Sequence, residues 1–459
     1  MTDTIATLAA GYRDGSHSPV EAVEACLAAI ATLDPKIGAW QAVYADEARA
    51  AAKAAEGAIR AGHRIGPFHG IPFALKDIID LEGRVTTAGC AEWADRVSPT
   101  TATIGARLLA AGGILLGKTK TVEFAMGGWG TNQHMGTPWN PWDEEVARTP
   151  GGSSCGSGAA VASGMATCAV GTDTGGSVRL PAALCGIVGL KTTEGLLPTD
   201  GIVPLSHTLD TPGPMTRSVI DAALMFDAMA GASPVDVDRD WMAERGRYHQ
   251  LKRGVRGLQM ACLGERERDG IDPDQLAAYD AALETLIELG ATIVPFDPPK
   301  PFEDMKEATF TTVMAEAYYH HGDLMDDPDA RVDENVRTRI RAGAGITGRE
   351  YVAASLQRKA DQIEFFDAFG DFGAYLTPTT PTLPLPLETL DESTTPAHFT
   401  RAGNYLAMCG TSLPTGVSPG GLPTSLQVAC RGGSETLSLR IAAAYEIARG
   451  PMPKPPLSA

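Results

Sequence analysis

Two serines that directly follow paired glycines, and one lysine set in an apolar run, are the residues of this sequence best suited to chemistry. The serine turns are Gly151-Gly152-Ser153 and Gly175-Gly176-Ser177. Glycine accepts φ > 0 and lets other atoms come close to the backbone, so a hydroxyl behind two glycines is one a ligand can approach. Successive N–H groups in such a turn also make a concavity that binds anions. An approachable hydroxyl beside ready donors is half of an acyl-transfer site, because the oxyanion formed on attack needs those donors in place. A flexible glycine–serine linker is the plainer reading. It fits poorly, since Val161, Met165, Val170, Val178 and Leu180 are interleaved with the small residues and demand a packed setting.

A serine also needs a base. Histidine is the usual one, yet none of the nine histidines stands in an evidently catalytic setting. Lys76 ends the run Ile71-Pro72-Phe73-Ala74-Leu75 and is followed by Asp77, Ile78 and Ile79. A lysine there either snorkels to water or is buried. Burial disfavours the charged form and can lower an amine by roughly 3–5 units from about 10.4, close to neutrality, where it accepts a proton. Alternatively Asp77 or Asp80 offsets the charge.

The elements that must hold these groups alternate between helix and strand. Ser18-Pro19-Val20-Glu21 reads as a capping box that starts a helix, and an alanine-rich helix is expected over 45–61. A mostly apolar strand follows over 69–80, a helix over 103–111, a buried strand over 114–116, a small-residue helical segment between the serine turns, a strand over 187–191 and a helix over 218–231. This alternation predicts an α/β fold: a large, twisted, mostly parallel mixed sheet sandwiched between helical layers. Residues 232–257 read as a surface connection, followed by a helix over 274–289, a strand over 292–294 and a polar helical region to 372. Apolar sequence returns at 374–378 and 425–429, and a helix closes the chain over 435–449. The whole of 1–459 is expected to be one domain, with a core over 62–231, a variable segment over 232–372 shaping the pocket, and a C-terminal return over 373–459.

Bulk properties exclude several classes. With 38 basic against 56 acidic residues the net charge is −18, which argues against nucleic acid or an anionic membrane as partner. Eight cysteines without a C-x-x-C pair read as reduced thiols, and with no apolar leader among the first residues this predicts a cytoplasmic protein. No apolar run is long enough to span a bilayer. No His/Asp/Glu cluster has ligand spacing, so neither metal nor organic cofactor is expected.

Lys76 in Ala-Leu-Lys-Asp, the turn Gly151-Gly152-Ser153-Ser154 and Gly171-Thr-Asp-Thr-Gly-Gly-Ser177-Val-Arg-Leu-Pro181 together resemble the amidase signature family. Further pieces lie in the family's order, among them Glu123-Phe124-Ala125-Met126, Asn140-Pro141-Trp142, Leu209-Asp210-Thr211-Pro212-Gly213-Pro214 and Gly420-Gly421-Leu422-Pro423. The resemblance implies a Ser–Ser–Lys triad. Ser177 is then the nucleophile, Ser153, held in a cis peptide, passes the proton, and Lys76 is the base. It also implies an oxyanion hole from the N–H groups around Thr174, Gly175, Gly176 and Ser177, and an acyl pocket at Ala125, Met126 and Gly127. Arg179 is expected either in a salt bridge with Asp173 or on a substrate carboxylate. Tyr318, Tyr319, His320 and His321 either line a leaving-group pocket or cover the sheet. The implied substrate is a small or medium amide, with carbamates (urethanes) and esters suiting the same triad, handled by a monomer or homodimer. Cys155 departs from a usual glycine, and Ile78 and Lys120 from usual asparagines.

Three rival readings remain to be placed. Gly112-Gly-Ile-Leu-Leu-Gly117-Lys118-Thr119 satisfies the Walker A pattern, but its middle reads as a strand and not a loop. Gly152-Ser-Ser154-Cys-Gly156 matches G-x-S-x-G with His207 or His321 as base, but no strand precedes it. The third rival is a glutamine-hydrolysing component of a tRNA-dependent amidotransferase, which shares the signature. Such proteins typically carry glutamine where this chain has Leu180.

Overall fold

The computed structural model describes residues 4–63, 66–233, 236–237 and 247–459. Its strands are β1 (Trp40–Val43), β2 (Pro72–Lys76), β3 (Ile114–Thr119), β4 (Cys168–Asp173), β5 (Val188–Lys191), β6 (Thr211–Thr216), β7 (Gln259–Leu263), β8 (Thr292–Phe296), β9 (Ala374–Thr377), β10 (Cys409–Val417) and β11 (Pro423–Cys430). They form one sheet in the order β1–β3–β2–β4–β6–β5–β10–β11–β9–β7–β8.

The sheet is mixed as expected, but its mostly parallel character is corrected. Of its ten pairings only β3–β2, β2–β4, β9–β7 and β7–β8 are parallel, and six are antiparallel. Two strands the sequence reading missed account for most of the difference. The sequence of β6, Thr-Pro-Gly-Pro-Met-Thr, carries two prolines and reads against a strand. Its pairing with β5 is confined to Met215 and Thr216, beyond both prolines. The other, β10, folds back onto β11 through the turn at Ser418, where Ser418 N–H donates to Leu422 C=O at 2.7 Å. Likewise β4 occupies the last part of the stretch between the serine turns that reads as helical, leaving the helix as Cys155–Ala162.

Successive side chains of a strand point to opposite faces. Phe73 and Leu75 of β2 therefore join one buried cluster while Ala74 joins another, and in β4 Cys168 and Val170 part from Ala169 in the same way. The cluster of Ala74 takes in the helices Pro19–Ile37, Ala45–Arg60 and Cys155–Ala162. The cluster of Phe73 takes in Val219–Ala230, Pro273–Glu288 and Glu435–Arg449. Helices thus back both faces. Ala48, Ala52 and Ala55 repeat at i, i+4 and i+7, giving the Ala45–Arg60 helix one buried stripe. Cys155–Ala162 is buried throughout and needs its small residues. A methyl on Gly156 would lie 2.3 Å from the carbonyl oxygen of Ala39.

Ser18 caps its helix by accepting from Val20 N–H at 3.1 Å and Glu21 N–H at 3.5 Å, and its hydroxyl donates to Glu56 at 2.6 Å; the return bond from Ser18 N–H to the Glu21 side chain that would complete the capping box is not made. Within the expected surface connection, residues 234–235 and 238–246 lie outside the described residues. Val237, Tyr248, Leu251 and Val255 of that stretch are buried in the Phe73 cluster, so these parts pack and do not simply cross the surface. The segment after it forms the helices Phe302–Asp326, Glu334–Arg341 and Gly348–Phe369.

Candidate active site

Lys76 ends β2 and is fully buried. Its Nζ lies 2.6 Å from Ser153 Oγ and 2.8 Å from Thr172 Oγ1. Burial pulls the amine down to about 7, only partly resisted by Cys155, Asp210 and Asp173 nearby. The expected offset by Asp77 or Asp80 is corrected. Asp77 accepts from Lys118 Nζ at 3.1 Å and Asp80 from Arg96 at 2.8 Å. Following directly on Lys76, Asp77 is turned the other way, as neighbours along an extended chain are.

The Gly152–Ser153 peptide is cis. Three contacts grip the turn: Gly152 N–H donates to Gly128 C=O at 2.7 Å, and Ser153 C=O accepts from Val122 N–H at 3.2 Å and the Thr121 hydroxyl at 3.1 Å. Ser154 joins the two serine turns. Its N–H donates to Ser177 C=O at 3.3 Å, while its hydroxyl donates to Thr172 C=O at 3.3 Å and accepts from Thr172 N–H at 3.2 Å. With both roles of that buried hydroxyl taken, Ser154 is a staple and not the nucleophile of a G-x-S-x-G elbow. The Ser177 hydroxyl has no hydrogen-bond partner among the described residues, and Ser177 alone of the three serines opens onto a cavity.

Asp173 and Arg179 frame the second turn. Burial alone would raise the Asp173 carboxyl, but the Arg179 guanidinium holds it at about 2. Arg179 Nε and Nη2 donate to the two Asp173 oxygens at 2.9 and 2.8 Å, Nη1 to Gln427 at 2.7 Å and Nη2 also to Asn404 at 2.6 Å. At 1% exposure and with every nitrogen engaged, Arg179 cannot reach a ligand, which corrects its place among substrate-binding residues. Gly176 is corrected as an oxyanion donor, because its N–H already donates to Asp173 Oδ1 at 2.8 Å. The N–H groups of Gly175 and Ser177 have no partner among the described residues. The Thr174 hydroxyl donates to Asp210, a buried carboxyl raised to about 6 that also accepts from Leu205 and Ser206 N–H at 2.9 and 3.0 Å.

The cavity holds about 490 Å³. Thr174, Gly175 and Ser177 line it, and so do Ala125, Met126 and Gly127. Arg339, Arg401 and Lys306, which the sequence reading did not single out, also line it. The four-residue aromatic and histidine run lies elsewhere. Tyr319 is 79% exposed, and buried His321 stacks on Phe124 with ring centroids 4.1 Å apart while its Nε2 sits 2.7 Å from Pro204 O. The leaving-group pocket is corrected to packing. His207 and His320 contact each other at the surface, so no histidine of the rival elbow meets a serine turn. The Walker-like stretch is β3 itself, with Gly117 inside the strand, and Lys118 is spent on Asp77. Among the described residues no helix is long and apolar enough to cross a membrane.

The sequence profile of the amidase family matches residues 21–439. A glutamyl-tRNA(Gln) amidotransferase subunit from Geobacter metallireducens is 37% identical, over 94% of this chain and 93% of that protein. The 2-amino-5-chloromuconic acid deaminase of Comamonas testosteroni is 35% identical, over 93% of this chain and 91% of its own. The native peptide amidase from Stenotrophomonas maltophilia superposes with a TM-score of 0.83 at 29% identity, each chain covered to 98%. With its profile and its relatives spanning nearly the whole chain, the protein belongs to the amidase family, the amidase signature enzymes that hydrolyse amide C–N bonds.

Proposed function

We propose that the chain is a stand-alone amidase that cleaves small or medium amides through an acyl-enzyme on Ser177. Ser177 Oγ attacks the carbonyl carbon as its proton passes to Ser153 Oγ and the Ser153 proton passes to Lys76 Nζ. The oxyanion forms against the N–H groups of Gly175 and Ser177, with Thr174 positioned by Asp210. When the C–N bond breaks, the lysine proton returns through Ser153 to the leaving nitrogen. Water then attacks the ester under the same base, releasing acid and free Ser177. The observation that carries this reading is a fully buried amine, 2.6 Å from a hydroxyl and close to neutrality in its acid–base balance. Carbamates and esters present the same carbonyl and fall within its reach.

The second reading, a glutamine-hydrolysing component of an amidotransferase, is favoured by the 37% identity to the Geobacter protein. Against it stands Leu180, an apolar residue on the cavity wall where such amidotransferase components typically carry glutamine. Purified chain assayed against glutamine, primary amides, anilides, carbamates and esters separates the two. Turnover of amides by an isolated monomer or homodimer supports the proposal, and turnover of glutamine alone supports the amidotransferase reading.

The base must be uncharged to act. With an amine lowered to about 7, log kcat/KM is expected to climb with unit slope as pH rises toward 7 and to level off above it. A profile flat from acid to alkaline pH rules out Lys76 as the base.

A further inference from the structure

We infer that the substrate carries a carboxylate close to its scissile carbonyl, held by Arg401 with Arg339 beside it. This rests on Ser177 being the nucleophile of the same cavity. In a chain of net charge −18, the cavity wall carries Lys306, Arg339 and Arg401 and not one acidic side chain. Arg401 belongs to the helix His398–Tyr405 and leans over the oxyanion turn, where a methyl on Gly175 would lie 3.3 Å from its Nε. Its side chain makes no hydrogen bond or ion pair with any described residue.

The other two cations are already held. Arg339 donates to the carbonyls of Met126, at 3.1 Å, and Glu392, while Lys306 Nζ lies 2.5 Å from Glu303. Glu303, whose charge also acts on Arg401, faces His398 at 3.5 Å. Half-buried Arg401 therefore faces a like charge and is drawn down to about 10 by burial and by Arg339. A guanidinium partly withdrawn from water with no anion bonded to it is unfavourable, and a planar carboxylate satisfies its fork with two parallel bonds. Phe310, Val313, Met314 and Leu180 leave the rest of the wall apolar. Gly175 is two residues from Ser177, so the carboxylate and the attacked carbonyl must be joined by a short chain. The chemical class is the monoamide of a short dicarboxylic acid.

Succinamate, glutaramate and adipamate are to be compared with neutral amides of matched length, by kcat/KM and by calorimetric binding to S177A. At least one acidic amide is expected to exceed its neutral match. R401Q is expected to lower the acidic-to-neutral kcat/KM ratio and the binding of that amide by about 10- to 100-fold. R401K should recover part of it, and exposed R349Q should leave the ratio where it was. Because the Arg401 side chain bonds to no described residue, R401Q should melt as the parent does, which separates lost recognition from lost folding. A ratio at or below one, or one unmoved by R401Q, overturns the inference while amide turnover keeps the amidase reading. Arg401-dependent binding of an acidic amide that is never cleaved overturns the amidase reading and leaves the carboxylate site standing.

Discussion

Alanine at Ser177 is expected to lower kcat/KM for any amide this protein hydrolyses by about 10⁴-fold or more, with K76A falling nearly as far. The double variant should be no worse than S177A. The reason is the proposed relay. Among the described residues the Lys76 amine hydrogen-bonds only to Ser153 and Thr172, and it is sealed from the cavity that Ser177 lines. In that relay its basicity reaches a substrate through Ser153 and Ser177, so once Ser177 is gone Lys76 has nothing left to activate. Groups that act as one unit give losses that do not add. S153A interrupts the same relay and should also be strongly impaired. Folding is a separate question, and a volume-matched K76M checked by thermal melting keeps it separate. The residual rate should come from binding and the oxyanion donors alone. Losses that multiply across the double variant would show Lys76 working by another route. A serine-directed phosphonate should label Ser177, identified by peptide mass, in the parent but not in S177A.

The two serine turns and the buried lysine were legible because their signals are local. Paired glycines before a hydroxyl and a cation inside an apolar run each span a few residues. What was not legible depends on partners far along the chain. Arg179 looks free beside Ser177 in the sequence. Only the return of Asn404 and Gln427 from the C-terminal third shows its nitrogens taken. Arg401 reaches the oxyanion turn from the same distant part of the chain, and nothing around it in sequence hints at a cavity. Asp210 is an intermediate case, since a lone carboxyl before Thr-Pro-Gly-Pro could have been flagged as buried, though not as the partner of Thr174. The antiparallel half of the sheet was hidden for a related reason. Prolines in β6 argue locally against a strand, and the limited pairing with β5 that tolerates them is a tertiary fact.

R179A is the second change expected to have a large effect, and it acts on folding before chemistry. Asp173 and Arg179 form a doubly bonded pair at 0% and 1% exposure. Removing one partner of such a pair destabilises by about 3–5 kcal/mol, because the other charge is left buried without compensation. Asp173 also accepts from Gly176 and Val178 N–H, at 2.8 and 3.2 Å, so the turn that presents Ser177 should loosen and kcat should fall with the melting temperature. The pH dependence identifies the cause. In the parent, the Asp173 carboxyl sits at about 2, below its unfolded value, so the pair's contribution is complete above the unfolded value and fades as pH falls toward 2. In R179A, burial without the guanidinium raises the carboxyl above its unfolded value, and the sign reverses. The variant should then be weakest near neutral pH and regain ground as the medium is acidified and Asp173 takes up a proton. Pairing the change with D173N removes the stranded charge, so the double variant should melt above R179A at neutral pH. An R179A protein that melts like the parent, and loses only its affinity for acidic amides, would instead return Arg179 to the substrate.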